Sequence, residues 1–302
     1  MKRIGVFAAA ALALSVPGAA WAGTDLYIVN YGSGTIGEYN ADTGAAINTA
    51  LVSGLSSPEG LAVSGGDLFV VNNLTGTIGE YNASTGTAIN ASLVSGLSSP
   101  EGLAVSGSDL FVANLLSGTI GEYNLSTGAM NSSFIFGLSF PFGLAVSGSN
   151  LFVVNAVAGT IGEYNASTGT AINASLVSGL NFPNDLAVSG SELFVANFNA
   201  GAVGEYSAVT GTAISASLIS GQLGPYDAAV SGSDLFFTNV GSNTIGEYNL
   251  SSGVDSSFIS GLDQPAFLTV ANSGSAVPEP ASLSLLAAGA LGLATLRRRA
   301  RR

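Results

Sequence analysis

The sequence predicts an all-β fold, a six-bladed β-propeller with four-stranded blades. The tripeptide Gly-Glu-Tyr occurs six times, and the intervals between copies are 42, 42, 41, 42 and 42 residues. A period this regular indicates one supersecondary unit copied in tandem. Each unit contains four short apolar runs bounded by Gly, Ser, Asn or Pro, which is typical of strands joined by tight turns. Four strands in one such unit match a propeller blade.

The order of strands along the chain predicts how the ring closes. In the unit 58–97 we name the strands A (58–63), B (67–72), C (77–82) and D (88–94). The chain begins with a B-type strand and ends with an unpartnered A-type strand at 265–270. We therefore expect this last strand to complete the first blade, which removes the open sheet edges. The alternative is an open β-solenoid, which would need caps that the sequence does not show.

The copied unit resembles a known repeat. The segments Pro-Glu-Gly-Leu-Ala-Val (58–63), Asp-Leu-Phe-Val-Val-Asn (67–72) and Ile-Gly-Glu-Tyr-Asn (78–82) resemble the NHL repeat and are similar to the YVTN-type propeller repeat. One departure is the residue before strand C, which is Thr or Ala here and often basic in NHL repeats. The resemblance implies a propeller and no particular activity.

The first 22 residues have the pattern of a helical secretory signal peptide. Lys2 and Arg3 precede an apolar stretch, and small residues lead to a predicted cleavage between Ala22 and Gly23. The alternative is an N-terminal anchor that is retained. This division leaves residues 23–275 as the propeller domain.

The C-terminal segment, 276–302, has three parts in a fixed order. Pro278, Glu279 and Pro280 precede sixteen mostly apolar residues, 281–296, and five arginines follow. As a helix, sixteen residues span about 24 Å, less than a hydrocarbon core of about 30 Å. This tail resembles the PEP-CTERM sorting signal, which implies a Gram-negative bacterium, an exosortase that removes the tail, and delivery to the cell surface or extracellular polysaccharide matrix. The alternative is an ordinary short tail anchor.

Charge and composition exclude several functions. All seven basic residues lie in the two terminal segments, whereas 18 of the 19 acidic residues, all except Glu279, lie in the propeller. Such a body repels nucleic acid and anionic membranes, so we expect no nucleic-acid partner and membrane contact only through the termini. The chain has no His and no Cys, which excludes His bases, thiol nucleophiles and His or thiolate zinc sites. Oxygen ligands remain and favour Ca²⁺ or Mg²⁺ if a metal is used.

The residue after the first proline of strand A changes from blade to blade. Around the ring it is Glu59, Glu101, Phe142, Asn184, Tyr226 and Ala266. In the lactonase and phosphotriesterase propellers that the chain resembles, Glu, Asn and Asp at comparable positions hold a catalytic divalent cation. That resemblance implies a Ca²⁺ site formed by Glu59, Glu101 and Asn184, with Asp185 and Asp227 one residue further on. The alternative is that these are solvated residues at the channel rim.

The connections from B to C and from D to A vary among the copies, whereas the other turns are nearly constant. In a propeller the variable connections share one face, which we expect to bind a partner. The alternatives are drift after duplication and packing between blades. The glutamates of Gly-Glu-Tyr are interpreted as repeat structure that reaches water or backbone N–H groups. The candidate binding face comprises Tyr31, Leu74, Leu115, Phe142, Phe198 and Tyr226.

These features together predict an exported, non-enzymatic propeller that binds or scaffolds at the cell surface or in the polysaccharide matrix. Its expected partners are an exosortase-type processing enzyme and either extracellular polysaccharide or a surface protein. The alternative is a Ca²⁺-dependent hydrolase of the lactonase or phosphotriesterase type.

Overall fold

The described part of the protein is built of β-sheet, with two single-turn 3-10 helices. The computed structural model describes residues 24–272, which form six sheets of four antiparallel strands. The 3-10 helices are Asn73–Thr75 and Phe198–Ala200. The predicted signal peptide with its Ala22–Gly23 cleavage site, and the C-terminal hydrophobic helix, lie outside the described residues.

Six blades follow one another along the chain. Blade 1 contains β1 (Thr24–Asn30), β2 (Thr35–Asn40), β3 (Ala46–Ser53) and, from the other end of the chain, β24 (Pro265–Asn272). Blade 2 contains β4 (Pro58–Ser64), β5 (Asp67–Asn72), β6 (Thr77–Asn82) and β7 (Ala88–Ser95). Blade 3 contains β8 (Pro100–Ser106), β9 (Asp109–Asn114), β10 (Thr119–Asn124) and β11 (Met130–Phe136). Blade 4 contains β12 (Pro141–Ser147), β13 (Asn150–Asn155), β14 (Thr160–Asn165) and β15 (Ala171–Ser178). Blade 5 contains β16 (Pro183–Ser189), β17 (Glu192–Asn197), β18 (Ala202–Ser207) and β19 (Ala213–Ser220). Blade 6 contains β20 (Pro225–Ser231), β21 (Asp234–Asn239), β22 (Thr244–Asn249) and β23 (Val254–Ser260).

The ring closes as the strand order predicts. Strand β24 pairs antiparallel with β1, and Leu26 lies opposite Val270. The inner strands of successive blades contact one another, and β24 contacts both β20 and β4. The six-bladed propeller is therefore confirmed, with strand A innermost and strand D outermost in every blade.

Local hydrogen bonds explain why the turns between strands C and D repeat. In blade 2 the Oδ1 atom of Asn82 accepts hydrogen bonds from the backbone N–H groups of Ser84 (3.1 Å) and Thr85 (3.0 Å). Gly86 then adopts a φ of 68°, in the left-handed region that glycine enters without steric cost. A short polar side chain and a following glycine thus reverse the chain and set the register of the next strand.

The core lies between the blades. Leu68, Phe69, Val70 and Val71 of β5 are all buried, so strand B is apolar on both faces. Phe69 and Val71 share an apolar cluster with residues of blade 3, which shows that neighbouring sheets pack face to face. The outer strands differ, since the first half of each is exposed and polar residues alternate there with apolar ones.

The two faces of the ring carry different connections. Strand A starts on the face that carries the B–C and D–A connections, such as 73–76 and 96–99, which we call the loop face. The A–B and C–D turns lie on the opposite face, which we call the turn face. Thr24 pairs with Asn272, at the end of strand A and the start of strand B. Both ends of the described chain therefore leave the ring from the turn face.

Candidate functional site

The six residues that follow the strand-A prolines form a layer around the channel. In every blade the pairing of strand A with strand B changes register at this point, for example between Pro58 and Leu61. Such a bulge bends the strand and redirects its side chains. Five of the six side chains are buried and that of Tyr226 is half-buried.

An unusual backbone conformation precedes each proline. The residue before it has a positive φ in all six blades: Ser57 (47°), Ser99 (50°), Phe140 (54°), Phe182 (54°), Gly224 (69°) and Gln264 (52°). Only one of the six is glycine, so five blades carry a side chain in the left-handed region. The chain therefore turns in the same way before strand A in all six blades. This turn places the residue after each proline in the same layer of the channel.

Glu59 and Glu101 lie on adjacent blades and form the first acidic pair. Asn73 donates from Nδ2 to Oε1 of Glu101 at 2.9 Å and to the carbonyl oxygen of Pro100 at 2.9 Å. Glu59 accepts one hydrogen bond, at 3.5 Å, from the Tyr226 hydroxyl. Burial raises the pKa of Glu101 to about 8. Burial, and then the charge of Glu101, raises the pKa of Glu59 well above its ordinary value.

Asp185 and Asp227 form the second pair, on blades 5 and 6. Oδ1 of Asp185 accepts from the N–H of Leu186 at 2.7 Å, and Oδ2 of Asp227 accepts from the N–H of Leu268 at 2.7 Å. Burial raises the pKa of Asp227 to about 7, while backbone donors oppose the rise. Burial and the neighbouring Asp227 charge raise the pKa of Asp185 well above its ordinary value.

A glycine makes room for this second pair. A Cβ atom on Gly143 would collide with the Asp185 carboxyl group. The corresponding residues of blades 2 and 3 are also glycines, whereas blades 5 and 6 carry the two aspartates and blade 1 carries Phe267. The difference between Gly and Asp at this position therefore decides where a carboxyl group enters the channel.

Aromatic rings from three blades meet across the channel. The Phe142 and Tyr226 ring centroids are 5.6 Å apart, those of Tyr226 and Phe267 are 5.6 Å apart, and those of Phe142 and Phe267 are 6.4 Å apart. Phe198 adds a further contact to Tyr226 at 6.1 Å. Tyr226 packs edge-to-face with its three partners, whereas Phe142 and Phe267 are stacked, and both geometries stabilise the arrangement beyond simple burial. The rings occupy the middle of the layer in which the predicted metal ligands lie.

The metal site remains a prediction, because one feature of its residues favours a bound cation and another does not. The orphaned Oδ1 atom of buried Asn184 and four carboxyl groups without a basic residue in 24–272 would suit a hard cation. The carboxyl groups lie in two pairs, however, and residues 24–272 contain no group of three or more acidic side chains that could hold a metal ion. Glu59, Glu101 and Asn184 would be the ligands of a Ca²⁺ ion, which would supply Lewis-acid chemistry there.

Two cavities flank the aromatic rings. On the loop face a cavity of about 200 Å³ is lined by Tyr31, Glu59, Tyr226, Val240, Gln264 and Ala266. Toward the turn face a channel of about 410 Å³ runs between the A strands, and its lining includes Asp185, Asp227 and Phe267. Glu59 of the first acidic pair thus lines the loop-face cavity, and both members of the second pair line the channel.

The predicted binding face is only partly exposed. Tyr31 and Leu74 are exposed, Leu115, Phe198 and Tyr226 are half-buried, and Phe142 is buried in the aromatic group. Other exposed apolar residues of this face come from both kinds of connection: Leu116, Phe140, Val157, Phe182 and Leu223. Packing between blades therefore explains part of the predicted set, and the rest forms an apolar rim.

The strand-C glutamates depart from expectation in two blades. Glu38 and Glu163 are buried, and each accepts a hydrogen bond from a side chain rather than from a backbone N–H group. Glu38 accepts from the Tyr27 hydroxyl at 3.4 Å, and Glu163 accepts from Nδ2 of Asn150 at 2.7 Å. Neither residue lines the two cavities.

Sequence reasoning missed three residues that shape the site. Asn73 holds Glu101, and Phe267 completes the aromatic group. Thr238, fully buried, accepts from the N–H of Asp227 at 2.9 Å and donates to the carbonyl oxygen of Ala266 at 2.8 Å. The signal for Thr238 was its departure from the Val or Ala that other blades have before the terminal Asn of strand B.

Comparison with known proteins supports the export signal and the fold. Residues 276–299 match the model of the PEP-CTERM protein-sorting motif, and this match includes Pro278, Glu279 and Pro280. The motif indicates export with membrane-associated sorting, and it is a substrate signal for exosortase processing. The comparison with curated protein sequences gave no match. In residues 24–272 we find no helix with the length and apolar character needed to cross a bilayer.

Solved structures share the propeller fold at low sequence identity. A chain in the crystal structure of a nidogen/laminin complex is similar with a TM-score of 0.73 and 16% identity, covering 83% of this chain and 100% of that one. Virginiamycin B lyase from Staphylococcus aureus is similar with a TM-score of 0.59 and 18% identity, covering 78% and 80%. The computationally designed protein Ika8 is similar with a TM-score of 0.52 and 19% identity, covering 76% and 69%. These similarities establish the fold alone.

Proposed function

We propose that the protein is an exported, non-enzymatic propeller that binds a surface protein or polysaccharide of the cell surface or extracellular matrix through its loop face. The observation that carries the proposal is the uneven distribution of surface side chains. Leu74 and Leu116 expose 76% and 71% of their surface on this face. Asp263 is the one charged residue in its twelve connections, and the two carboxyl groups nearest to this face, Glu59 and Glu101, are buried at the channel rather than on the rim. An apolar rim without charge suits association with a neutral partner.

The position of the chain ends supports this orientation. The described chain ends at Asn272 on the turn face, and five residues connect it to the sorting motif. Eight residues, 273–280, precede the apolar segment and span at most about 29 Å, so a tail in the membrane would tether the turn face to the lipid surface. The loop face would then point outward, where a partner can reach it.

The experiment compares retention of the protein at the cell surface. Leu74→Ser with Leu116→Ser removes the two most exposed leucines of the rim. Ile89→Ser with Ile172→Ser serves as the matched control, because these residues are also exposed but lie on outer strands. To keep the tail from retaining the variants by itself, both are purified and added to surface and matrix fractions of cells that lack the protein, and we expect the rim variant to be retained less than the control. Equal retention of both variants would refute binding through the loop face.

A Ca²⁺-dependent hydrolase is the second candidate. The orphaned Oδ1 atom of Asn184 favours it, since a buried amide oxygen without a donor is costly unless a cation or water satisfies it. The related fold of virginiamycin B lyase is consistent with an enzyme but assigns no chemistry to this chain. Turnover of a lactone or a phosphotriester by the purified protein, lost in Glu101→Ala, would support this candidate over the non-enzymatic one.

A further inference from the structure

The loop-face cavity exists because one blade lacks a large side chain in the central layer. Ala266 occupies the position that is filled in the other five blades by Glu, Phe, Asn or Tyr. The space above it, about 200 Å³, lies between Tyr226 of blade 6 and Glu59 of blade 2. At about 30 Å³ per water molecule this volume holds about six waters, or one small organic group.

Glu59 presents an unused hydrogen-bond acceptor to this cavity. Its side chain is more than nine-tenths buried, with 8% of its surface exposed. Oε2 accepts the single bond from Tyr226 at 3.5 Å, and within residues 24–272 no donor reaches Oε1. Glu101, its neighbour, has its Oε1 occupied by Asn73. A ligand in the cavity would therefore meet one free carboxyl oxygen.

Charge around the cavity selects the ligand. Residues 24–272 contain no Lys, Arg or His, so none of them can supply a cation to Glu59. Glu101 lies beside it, and a cleft with apolar walls and one sign of charge focuses the field and concentrates ions of the opposite sign. Burial and the charge of Glu101 raise the pKa of Glu59 well above its ordinary value, and a cation bound beside Glu59 opposes this rise because it favours the ionised carboxylate. An anionic ligand would be repelled by the ionised group, and a neutral ligand would not favour its ionisation.

The walls suit an alkyl stem. Tyr31 is 40% exposed at the mouth, while Val240 and Ala266 contribute aliphatic surface. We propose that this cavity binds a primary alkylammonium group, with the ammonium donating to Oε1 of Glu59 and the stem packing against Tyr31 and Val240. The group has the chemistry of a lysine side chain or of a free alkylamine. This site goes beyond the partner-binding function: it shares Tyr31 with the apolar rim but uses neither Leu74 nor Leu116.

The test is calorimetric titration of the full chain with n-butylammonium and with n-butanol, its uncharged counterpart of the same length. A hydrogen bond between two charged groups is stronger than one from a neutral donor, so we expect the amine to bind about tenfold tighter than the alcohol, which corresponds to about 1.4 kcal/mol. A second titration uses Nα-acetyl-lysine-N-methylamide, which distinguishes a lysine side chain in a peptide from a free alkylamine. Binding of both amines indicates that a peptide lysine can enter, whereas binding of butylammonium alone restricts the site to free amines.

Variants connect the binding to this cavity. Glu59→Gln preserves shape and should lower the affinity for butylammonium about tenfold. Glu80→Gln, in strand C of the same blade, is the matched control and should bind as the wild type does. Ala266→Phe should abolish binding by filling the cavity, provided its melting transition stays cooperative.

Three results would overturn the proposal. The first is equal affinity for butanol and butylammonium, which would identify a site for neutral ligands. The second is binding of Ca²⁺ that depends on Glu59 while neither amine binds. The third is unchanged amine binding in Glu59→Gln.

Discussion

Tyr226 of blade 6 and Glu59 of blade 2 are joined across the intervening blade 1 by a hydrogen bond of 3.5 Å from the tyrosine hydroxyl to Oε2. Ala266 lies between them and is too small to intervene. The tyrosine ring also packs edge-to-face with Phe142 and Phe267 at 5.6 Å. The ring of Tyr226 therefore fills the channel, and its hydroxyl group contacts a carboxyl group. Substitutions that remove only the hydroxyl group or the whole ring can separate these two roles.

Truncation of Tyr226 should cost far more than loss of its hydroxyl group. Tyr226→Phe keeps the aromatic contacts and removes a long hydrogen bond, so we expect the free energy of unfolding to fall by at most about 1 kcal/mol. Tyr226→Ala leaves a cavity among Phe142, Phe198 and Phe267, for which a loss of about 3–5 kcal/mol is expected. Urea unfolding of both variants measures the difference. Similar losses would mean that the hydroxyl group, not the ring, stabilises the centre.

Stability should decrease as pH rises from about 4 to above 8. The pKa values of Asp227 and Glu101 are raised in the folded state to about 7 and about 8, mainly by burial. Their unfolded values lie near 4, so the folded state binds more protons across this range. Their contribution to stability is fully present below the unfolded pKa and is lost as pH rises through the folded pKa. Melting temperatures between pH 4 and pH 9 check this sign.

A pair of variants separates this effect from general charge repulsion in the acidic body. Asp185→Asn removes one member of the buried pair, and the decrease of melting temperature with pH should become shallower. Asp42→Asn changes the same charge in an exposed turn, where the carboxyl group is not part of either buried pair, and the wild-type slope should remain. A shallower slope in both variants would instead assign the effect to net charge.

The repeat predicted the ring because each copy contains the same four strands, and the unpaired B and A strands at the two ends left one economical closure. The arrangement of side chains in the channel was harder to predict from the sequence. The repeat places Glu59 and Glu101 in the channel layer. It does not show that these two carboxyl groups form a pair separate from Asp185 and Asp227, and that division is a property of the folded channel. That division depends on Phe142, Tyr226 and Phe267 meeting from three blades, and such contacts between residues far apart in sequence leave no periodic signal.

The predicted binding face includes Leu115, although the spacing of the repeat favours its neighbour Leu116. Leu74 and Leu116 are 42 residues apart, which is the repeat period, and both are exposed. Leu115 aligns with Asn73 instead, and both of these residues are half-buried. In blade 2 Asn73 begins the 3-10 helix Asn73–Thr75 and donates a hydrogen bond to Glu101. Alignment of the copies therefore predicts which residue of the connection is exposed, whereas the apolar character of Leu115 does not.

Calcium should raise the melting temperature if Glu59, Glu101 and Asn184 bind it. A ligand that binds only the folded state adds about 2.7 kcal/mol of stability at a concentration 100 times its dissociation constant. Binding needs ionised carboxyl groups, so the rise should be larger at pH 8 than at pH 6. Glu101→Ala should abolish it, and Glu80→Ala, on strand C of blade 2, should retain it. Absence of any response to Ca²⁺ at pH 8 would end the metal hypothesis.

Replacing Ser57 by glycine should stabilise the protein. Ser57 precedes Pro58 with a φ of 47°, a left-handed conformation that costs a non-glycine residue about 1–2 kcal/mol, and blade 6 already has Gly224 at the equivalent position. Glycine loses about 0.5–1 kcal/mol through the greater entropy of the unfolded chain, so the expected net gain is about 0.5–1 kcal/mol.

Ser56→Gly is the matched control for this substitution. Ser56 lies next to Ser57 but is not among the residues with positive φ, so glycine there should lower stability by about 0.4–1 kcal/mol. Chemical denaturation of both variants measures the contrast. If Ser57→Gly destabilises the protein as Ser56→Gly does, the conformation before the proline is not strained, and the entry into strand A must be held by the proline and the following bulge.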